Sequence, residues 1–137
     1  MMRKVLIMAC LMVMGMCNAQ TIRNSSNSAI GKIESDGTVR NGSNSVIARI
    51  NNNGDIRNSS NSLMGKLQSN GDVRDRNNSY IGKVESNGTV RDRSNSILGR
   101  VDSDGTVRNA SNSVIGYAKG VPQKYAAVYF FFFGFFK

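Results

Sequence analysis

From Thr21 onward, apolar residues come in short pulses separated by Asn, Ser, Asp and Gly, and the pulses return every 17 residues. Six rows align: TIRNSSNSAIGKIESDG, TVRNGSNSVIARINNNG, DIRNSSNSLMGKLQSNG, DVRDRNNSYIGKVESNG, TVRDRSNSILGRVDSDG and TVRNASNSVIGYAKGVP. Each row holds a "VR" pulse and an "IG" pulse, and no window is long enough to carry a helical apolar stripe. Short β-type runs bounded by turn formers predict strands. A fixed period predicts one hairpin-like unit used many times.

The turns set the register. Gly37, Gly54, Gly71, Gly88 and Gly105 end loops of the "SDG" type, where the third position takes a positive φ that only glycine adopts without strain. That loop places Glu34 opposite Thr38, Ile33 opposite Val39 and Lys32 opposite Arg40. The other connection closes around Gly42, Ser43 and Asn44 and sets Val39 opposite Ile47. Ile47 and Ile50 then point to opposite faces under strict alternation. A bulge or kink at the small residue between them, Gly31, Ala48, Gly65, Gly82, Gly99 or Gly116 according to row, returns both to the core.

The predicted fold is all-β: 17-residue repeats forming five β-hairpins arranged radially, like a flower, and closed by a C-terminal aromatic segment. Thr21–Asn24 and Val114–Ala118 remain as matched single strands that a ring brings together, removing the open edges. A linear solenoid is the competing geometry and needs a cap at each end. All six Phe fall in the final segment, which ends AAVYFFFFGFFK. Its eleven apolar residues are fewer than the roughly 20 of a membrane-spanning helix. It is read either as one long buried strand or short plug filling the hollow, or as a sticky surface for self-association or membrane contact. Tyr129, Phe130, Phe131, Phe132 and Phe133 carry that role, with Phe135 and Phe136 emerging beyond Gly134. The domains are residues 1–19, 20–118 and 119–137.

With its recurring IGKIESDGTVRN unit and its close IGYAKGVPQKYAAVYFFFF, the chain resembles the bacterial five-fold β-flower proteins over nearly everything after residue 19. The resemblance implies a small exported protein of repeated hairpins arranged like petals. It carries over no catalytic or binding residue. Ala48 stands where the family pattern has glycine, and GFFK trails the aromatic run.

Residues 1–19 carry a different message. Arg3 and Lys4 precede an apolar run from Val5 to Met16, and CNAQ supplies Cys17 and Ala19 at the small positions of a signal-peptidase site. This pattern predicts a cleaved secretory leader, with Gln20 starting the mature chain. The twelve-residue run is short for a membrane anchor. Neither Cys10 nor Cys17 has the context of a lipid-modified cysteine. The expected location is the periplasm or the cell surface, or the medium. Both cysteines leave with the leader and the chain has no His, so packing and backbone pairing hold the fold without disulfides.

The formal net charge is +9, of which Arg3 and Lys4 contribute two. Arg23, Arg40, Arg57, Arg74, Arg91 and Arg108 recur in register and form a ring if the repeats do. With Lys32, Arg49, Lys66, Lys83 and Arg100 one strand away, they are a candidate surface for anionic envelope lipid or glycan. The alternative is a solvated polar face neutralised by Glu34, Asp75, Glu85, Asp92 and Asp102. Nucleic acid fits worst, since no aromatic residue recurs among the arginines to stack bases. ESDG and DSDG resemble calcium loops, but the sister loops NNNG and QSNG have no carboxylate and read as plain turns. Ser and Asn favour turns by local hydrogen bonds; as a glycan face they lack an aromatic platform apart from Tyr80. No His or mature Cys is present to activate a nucleophile or ligate zinc. The sequence thus predicts no enzyme, no metal and no cofactor, but an exported structural or interaction module. Its alternatives are a binder of an anionic envelope component and a protein that oligomerises through its Phe-rich tail.

Overall fold

The computed structural model describes residues 19–135. Residues 1–18 of the expected leader, and Phe136, lie outside them. Twelve strands are present: β1 (Ala19–Asn24), β2 (Ala29–Glu34), β3 (Thr38–Asn41), β4 (Val46–Ile50), β5 (Asp55–Asn58), β6 (Leu63–Leu67), β7 (Asp72–Asp75), β8 (Tyr80–Val84), β9 (Thr89–Asp92), β10 (Ile97–Val101), β11 (Thr106–Asn109) and β12 (Val114–Tyr117). One helix, α1 (Gln123–Phe131), follows. Every strand pairs antiparallel with its sequence neighbours, and β1 pairs with β12, so the sheet is a closed barrel. Counted from β1, the strands make six hairpins. The count of five rested on the glycine-ended loops; the sixth place in the ring is taken by β12 and β1, joined by pairing without a loop. Closure leaves no edge strand, which excludes the solenoid.

Across the glycine-ended loops the register is Ile33 opposite Val39 and Lys32 opposite Arg40. Across the other connections it differs by one residue from the expected pairing of Val39 with Ile47: Val39 faces Ala48 and Arg40 faces Val46. The same slip recurs in the other five rows. The extra residue is Ile30, Ile47, Met64, Ile81, Leu98 or Ile115, immediately before the small-residue column instead of on it. A bulge re-aims the side chain at the extra position. Ile47 is therefore half-buried against the core while Ile50 is fully buried.

Three rings of side chains face the lumen. The first is Ile33, Ile50, Leu67, Val84, Val101 and Ala118, and the second Ile22, Val39, Ile56, Val73, Val90 and Val107. The third is Gly31, Ala48, Gly65, Gly82, Gly99 and Gly116, all buried. About eight strands make a barrel that its own side chains can fill. Twelve strands lined by Val, Ile and Gly leave a hollow.

Helix α1 occupies that hollow. Gly120 (φ +79°) turns the chain inward, and Pro122 begins the helix. The Gln123 side-chain amide donates to the Val101 carbonyl at 2.8 Å, and the Lys124 ammonium to that of Ser69 at 2.8 Å, fastening the first turn to two separate parts of the rim. Ala126, Ala127 and Val128 are fully buried as the helix passes down the axis. At the third ring the sizes exchange. A methyl group on Gly116, Gly99, Gly82 or Gly65 would lie 2.5–2.8 Å from the ring of Phe130, Phe131, Phe132 or Phe133 respectively, and one on Gly31 would lie 3.2 Å from the Tyr129 hydroxyl. Five consecutive residues thus address five different repeats, which only a segment on the axis can do.

The segment is helical through Phe131, correcting the expectation of a long buried strand. A closed barrel has no free edge to pair with a strand on its axis, whereas a helix satisfies its own backbone polar groups. The all-β description therefore holds for the wall alone. Past Phe131 the backbone is extended at Phe132 and left-handed at Phe133 (φ 63°) and Gly134 (φ 74°). This bend returns Phe135 to the core, half-buried, with its ring centroid 6.0 Å from Tyr129 and 6.4 Å from Phe133. Phe135 therefore packs between Tyr129 and Phe133 and does not emerge.

Substituting Gly99→Val should cost about 1–3 kcal/mol through overpacking against both the Arg108 backbone carbonyl and the Phe131 ring, read as a lower urea midpoint, and the added variant Phe131→Ala should recover only the part due to the ring. The same valine at exposed Gly42 should change stability by no more than about 0.5 kcal/mol. Equal losses at the two positions would show that wall-to-axis fit is not the cause.

Candidate functional site

The six arginines of the ring lie on the outer face and are half-buried. Each donates Nη1 to a loop carbonyl: Arg23 to Asn27, Arg40 to Asn44, Arg57 to Asn61, Arg74 to Asn78, Arg91 to Asn95 and Arg108 to Asn112, at 2.9–3.1 Å. Those asparagines are left-handed, with φ between 68° and 71°, a conformation Asn tolerates better than most residues. The residue after each arginine, Asn or Asp, accepts two backbone N–H bonds through Oδ1; Asn41, for example, holds Ser43 and Ser45 at 2.9 and 3.0 Å. The recurring RNxSNS string is therefore one loop, built from an Asx turn, a left-handed asparagine and an arginine clamp.

Four of these arginines also meet a carboxylate: Arg40 with Glu34 at 3.0 Å, Arg57 with Asp55 at 3.2 Å, Arg91 with Glu85 at 2.9 Å and Arg108 with Asp102 at 3.1 Å. Arg74 lies 6.0 Å from the centroid of the Tyr80 ring, at the limit of cation–π range. The expected neutralisers Asp75 and Asp92 instead hold loop N–H groups.

A second outward row presents Lys32, Arg49, Lys66, Lys83 and Arg100. Each stands directly across the sheet from a ring arginine, namely Arg40, Arg57, Arg74, Arg91 and Arg108. Arg100 pairs with Asp102 at 2.9 Å; Lys32, Arg49, Lys66 and Lys83 form no ion pair among the described residues.

At the opposite end from the RNxSNS loops, the glycine-ended loops stitch one repeat to the next. The Gly71 carbonyl accepts the Val84 N–H at 2.9 Å, and Gly37, Gly54, Gly88 and Gly105 bind Ile50, Leu67, Val101 and Ala118 alike. At Gly71 φ is +96° and a side chain would strike the Val84 backbone, so glycine is required twice over. Within these loops the side chains of Asp36 and Asp104 accept the Thr38 and Thr106 N–H groups at 3.0 and 2.9 Å. Asn53, Asn70 and Asn87 do the same in sister rows. Among the described residues no three His, Cys, Asp or Glu side chains gather as a metal site.

Open clefts interrupt the surface between loops and at the seam. One, of about 580 Å³, lies between the loops around Asn52 and Ser69, beside Lys66, Lys124 and Tyr125. Another, of about 740 Å³, lies at the β12–β1 seam. The left-handed asparagine column and the seam residues Tyr117 and Lys119 were not singled out in the sequence. The constancy of Asn27 and its equivalents, and the departure of the sixth row from the other five, are the signals that mark them.

Fold and site together define a closed antiparallel repeat barrel, filled by its own C-terminal segment and basic on its outer wall. The sequence pattern of the 5-fold beta-flower proteins matches residues 13–134, and the chain belongs to that family. No curated protein and no solved structure matches it.

Hydrogen bonds from Thr38, backbone first and side chain second, hold the Asp36 carboxyl below its ordinary 3.8, and those from Thr106 do the same for Asp104. A depressed folded value stabilises above the unfolded value and is lost as pH falls through and below 3.8. The double variant D36N/D104N, copying the sister loops, should therefore lose less thermal stability than the parent between pH 5 and pH 3. Parallel melting curves for the two proteins would refute this.

Proposed function

We propose that the chain is an exported, non-enzymatic interaction module whose basic outer face meets an anionic component of the cell envelope, lipid headgroup or acidic glycan. In this reading five glycine-looped hairpins radiate like petals, and the aromatic segment closes the fold as an internal plug. The observation that carries it is the set of five cross-strand cation pairs, Lys32 with Arg40 and its equivalents. Like charges directly opposite each other destabilise a sheet, and the lumen packing does not require them. For the plug, burial of Tyr129, Phe130 and Phe132 supports an internal role over a self-association surface.

The chain should co-sediment with phosphatidylglycerol vesicles, or be retained on polygalacturonate, at low salt and be released at high salt. Replacing Lys32, Lys66 and Lys83 with Gln removes about 1 kcal/mol per residue on an anionic lipid surface, roughly a hundredfold in all. Failure to bind either material, or binding indifferent to salt, would sink the proposal. For the tail, a chain stopped after Ala118 should lose its β circular-dichroism signal. If that chain instead stays folded as a monomer while the full chain is oligomeric, the tail is an interface.

A further inference from the structure

Six repeats supply an internal comparison at every position of the ring, and one position breaks it. Before each ring arginine, the end of the preceding strand carries a matching residue: Glu34 for Arg40, Asn51 for Arg57, Gln68 for Arg74, Glu85 for Arg91 and Asp102 for Arg108. The three carboxylates among them ion-pair with their arginines at 2.9–3.1 Å. Across the seam, Tyr117 faces Arg23 as Lys32 faces Arg40. The residue matching Glu34 is therefore Lys119, so a cation stands where sister repeats place an acid or an amide.

The seam is also where the wall opens. Elsewhere this pair of strands is joined by a glycine-ended loop; here the chain leaves at Gly120 to enter α1, and β1 comes from the other end of the chain. The result is the cleft of about 740 Å³ lined by Gln20, Thr21, Arg23, Asn27, Tyr117 and Lys119. No carboxylate lines it. Arg23 donates Nη1 to Asn27, and neither Arg23 nor Lys119 has an ion pair among the described residues.

We propose that the seam cleft binds an oxyanion, a carboxylate, sulfate or phosphate, carried on a polar ring such as an acidic saccharide. Two cations without an ion-pair partner among the described residues supply the charge: the Arg23 guanidinium offers a planar edge to two oxygens, and Lys119, which also acts at longer range on the Asp104 carboxylate, offers a point charge. Tyr117 replaces the lysine or arginine of the sister rows and adds to the lining of the cleft an aromatic ring against which a sugar ring can stack. Thr21 and Asn27 add neutral hydrogen-bonding groups for hydroxyls. This site is a single saturable cleft, separate from the polyvalent outer row, and either can fail without the other.

The test is an amide chemical-shift titration of protein expressed from the full sequence, with sodium sulfate, inorganic phosphate, glucuronate and neutral glucose as probes. Expected are saturating shifts with glucuronate and with the inorganic anions, confined to Arg23, Asn27, Tyr117 and Lys119, and none with glucose. The variant K119E recreates the Glu34–Arg40 arrangement, so it should melt no lower than the parent while losing about tenfold or more in glucuronate affinity. Y117L should weaken glucuronate and leave sulfate unchanged. Vesicle binding by the outer row should survive K119E. The proposal is overturned by the absence of saturable shifts with any anion, by undiminished binding in K119E, or by glucose binding as well as glucuronate. Sulfate binding without glucuronate binding overturns its ring-stacking part.

Discussion

Five glycines on the wall and five consecutive aromatic residues on the axis exchange volume, and the packing of the barrel depends on that exchange. Where the wall carries Val and Ile, the axis carries Ala126, Ala127 and Val128; where the wall carries glycine, the axis carries Tyr129 and the phenylalanines. Interiors pack at crystal-like density with few voids, so neither set can change alone. A wall of twelve strands without the helix is a tube around a hollow it cannot fill. Without the wall, the helix is a short apolar segment with no solvated face. Each half makes the other stable.

The loops impose order of another kind. At one end, an arginine, an Asx turn and a left-handed asparagine fix each RNxSNS connection from within its own row. At the other end, each glycine-ended loop hands a carbonyl to the strand of the next row. Local bonds make each unit, and bonds between units make the ring. Much of the basic chemistry that recurs along the chain is therefore already engaged in holding loops. Positive charge without an ion-pair partner among the described residues stays in the outward row of Lys32, Arg49, Lys66 and Lys83, at the seam, and at Arg74, Arg76, Arg93 and Lys124.

Much of this was legible because repetition amplifies weak local signals. A single SDG tripeptide is an indifferent turn signal; five glycines at one spacing set a register that the barrel keeps. The ring closure was legible too, since the first and last strands match as a pair. The bulge was legible in its need but misplaced by one residue, because alternation shows that Ile47 and Ile50 conflict without showing which residue is left over. The seam was hard to read, since its residues lie nearly a hundred positions apart in the chain and meet only when the ring closes.

What the amino-acid sequence determined by itself was whatever depends on neighbours along the chain: strand, turn and period, the alternation of valine inward and arginine outward, and the glycine positions that demand a positive φ. The tertiary structure decided what depends on closure. It closed six hairpins into a barrel, because β1 and β12 pair where no loop joins them. It made the aromatic segment a helix, because a closed barrel offers no edge to a strand on its axis. It brought Phe131 against Gly99 and set Lys119 and Arg23 in one cleft, because the meeting of distant residues is a property of the ring and not of any row within it.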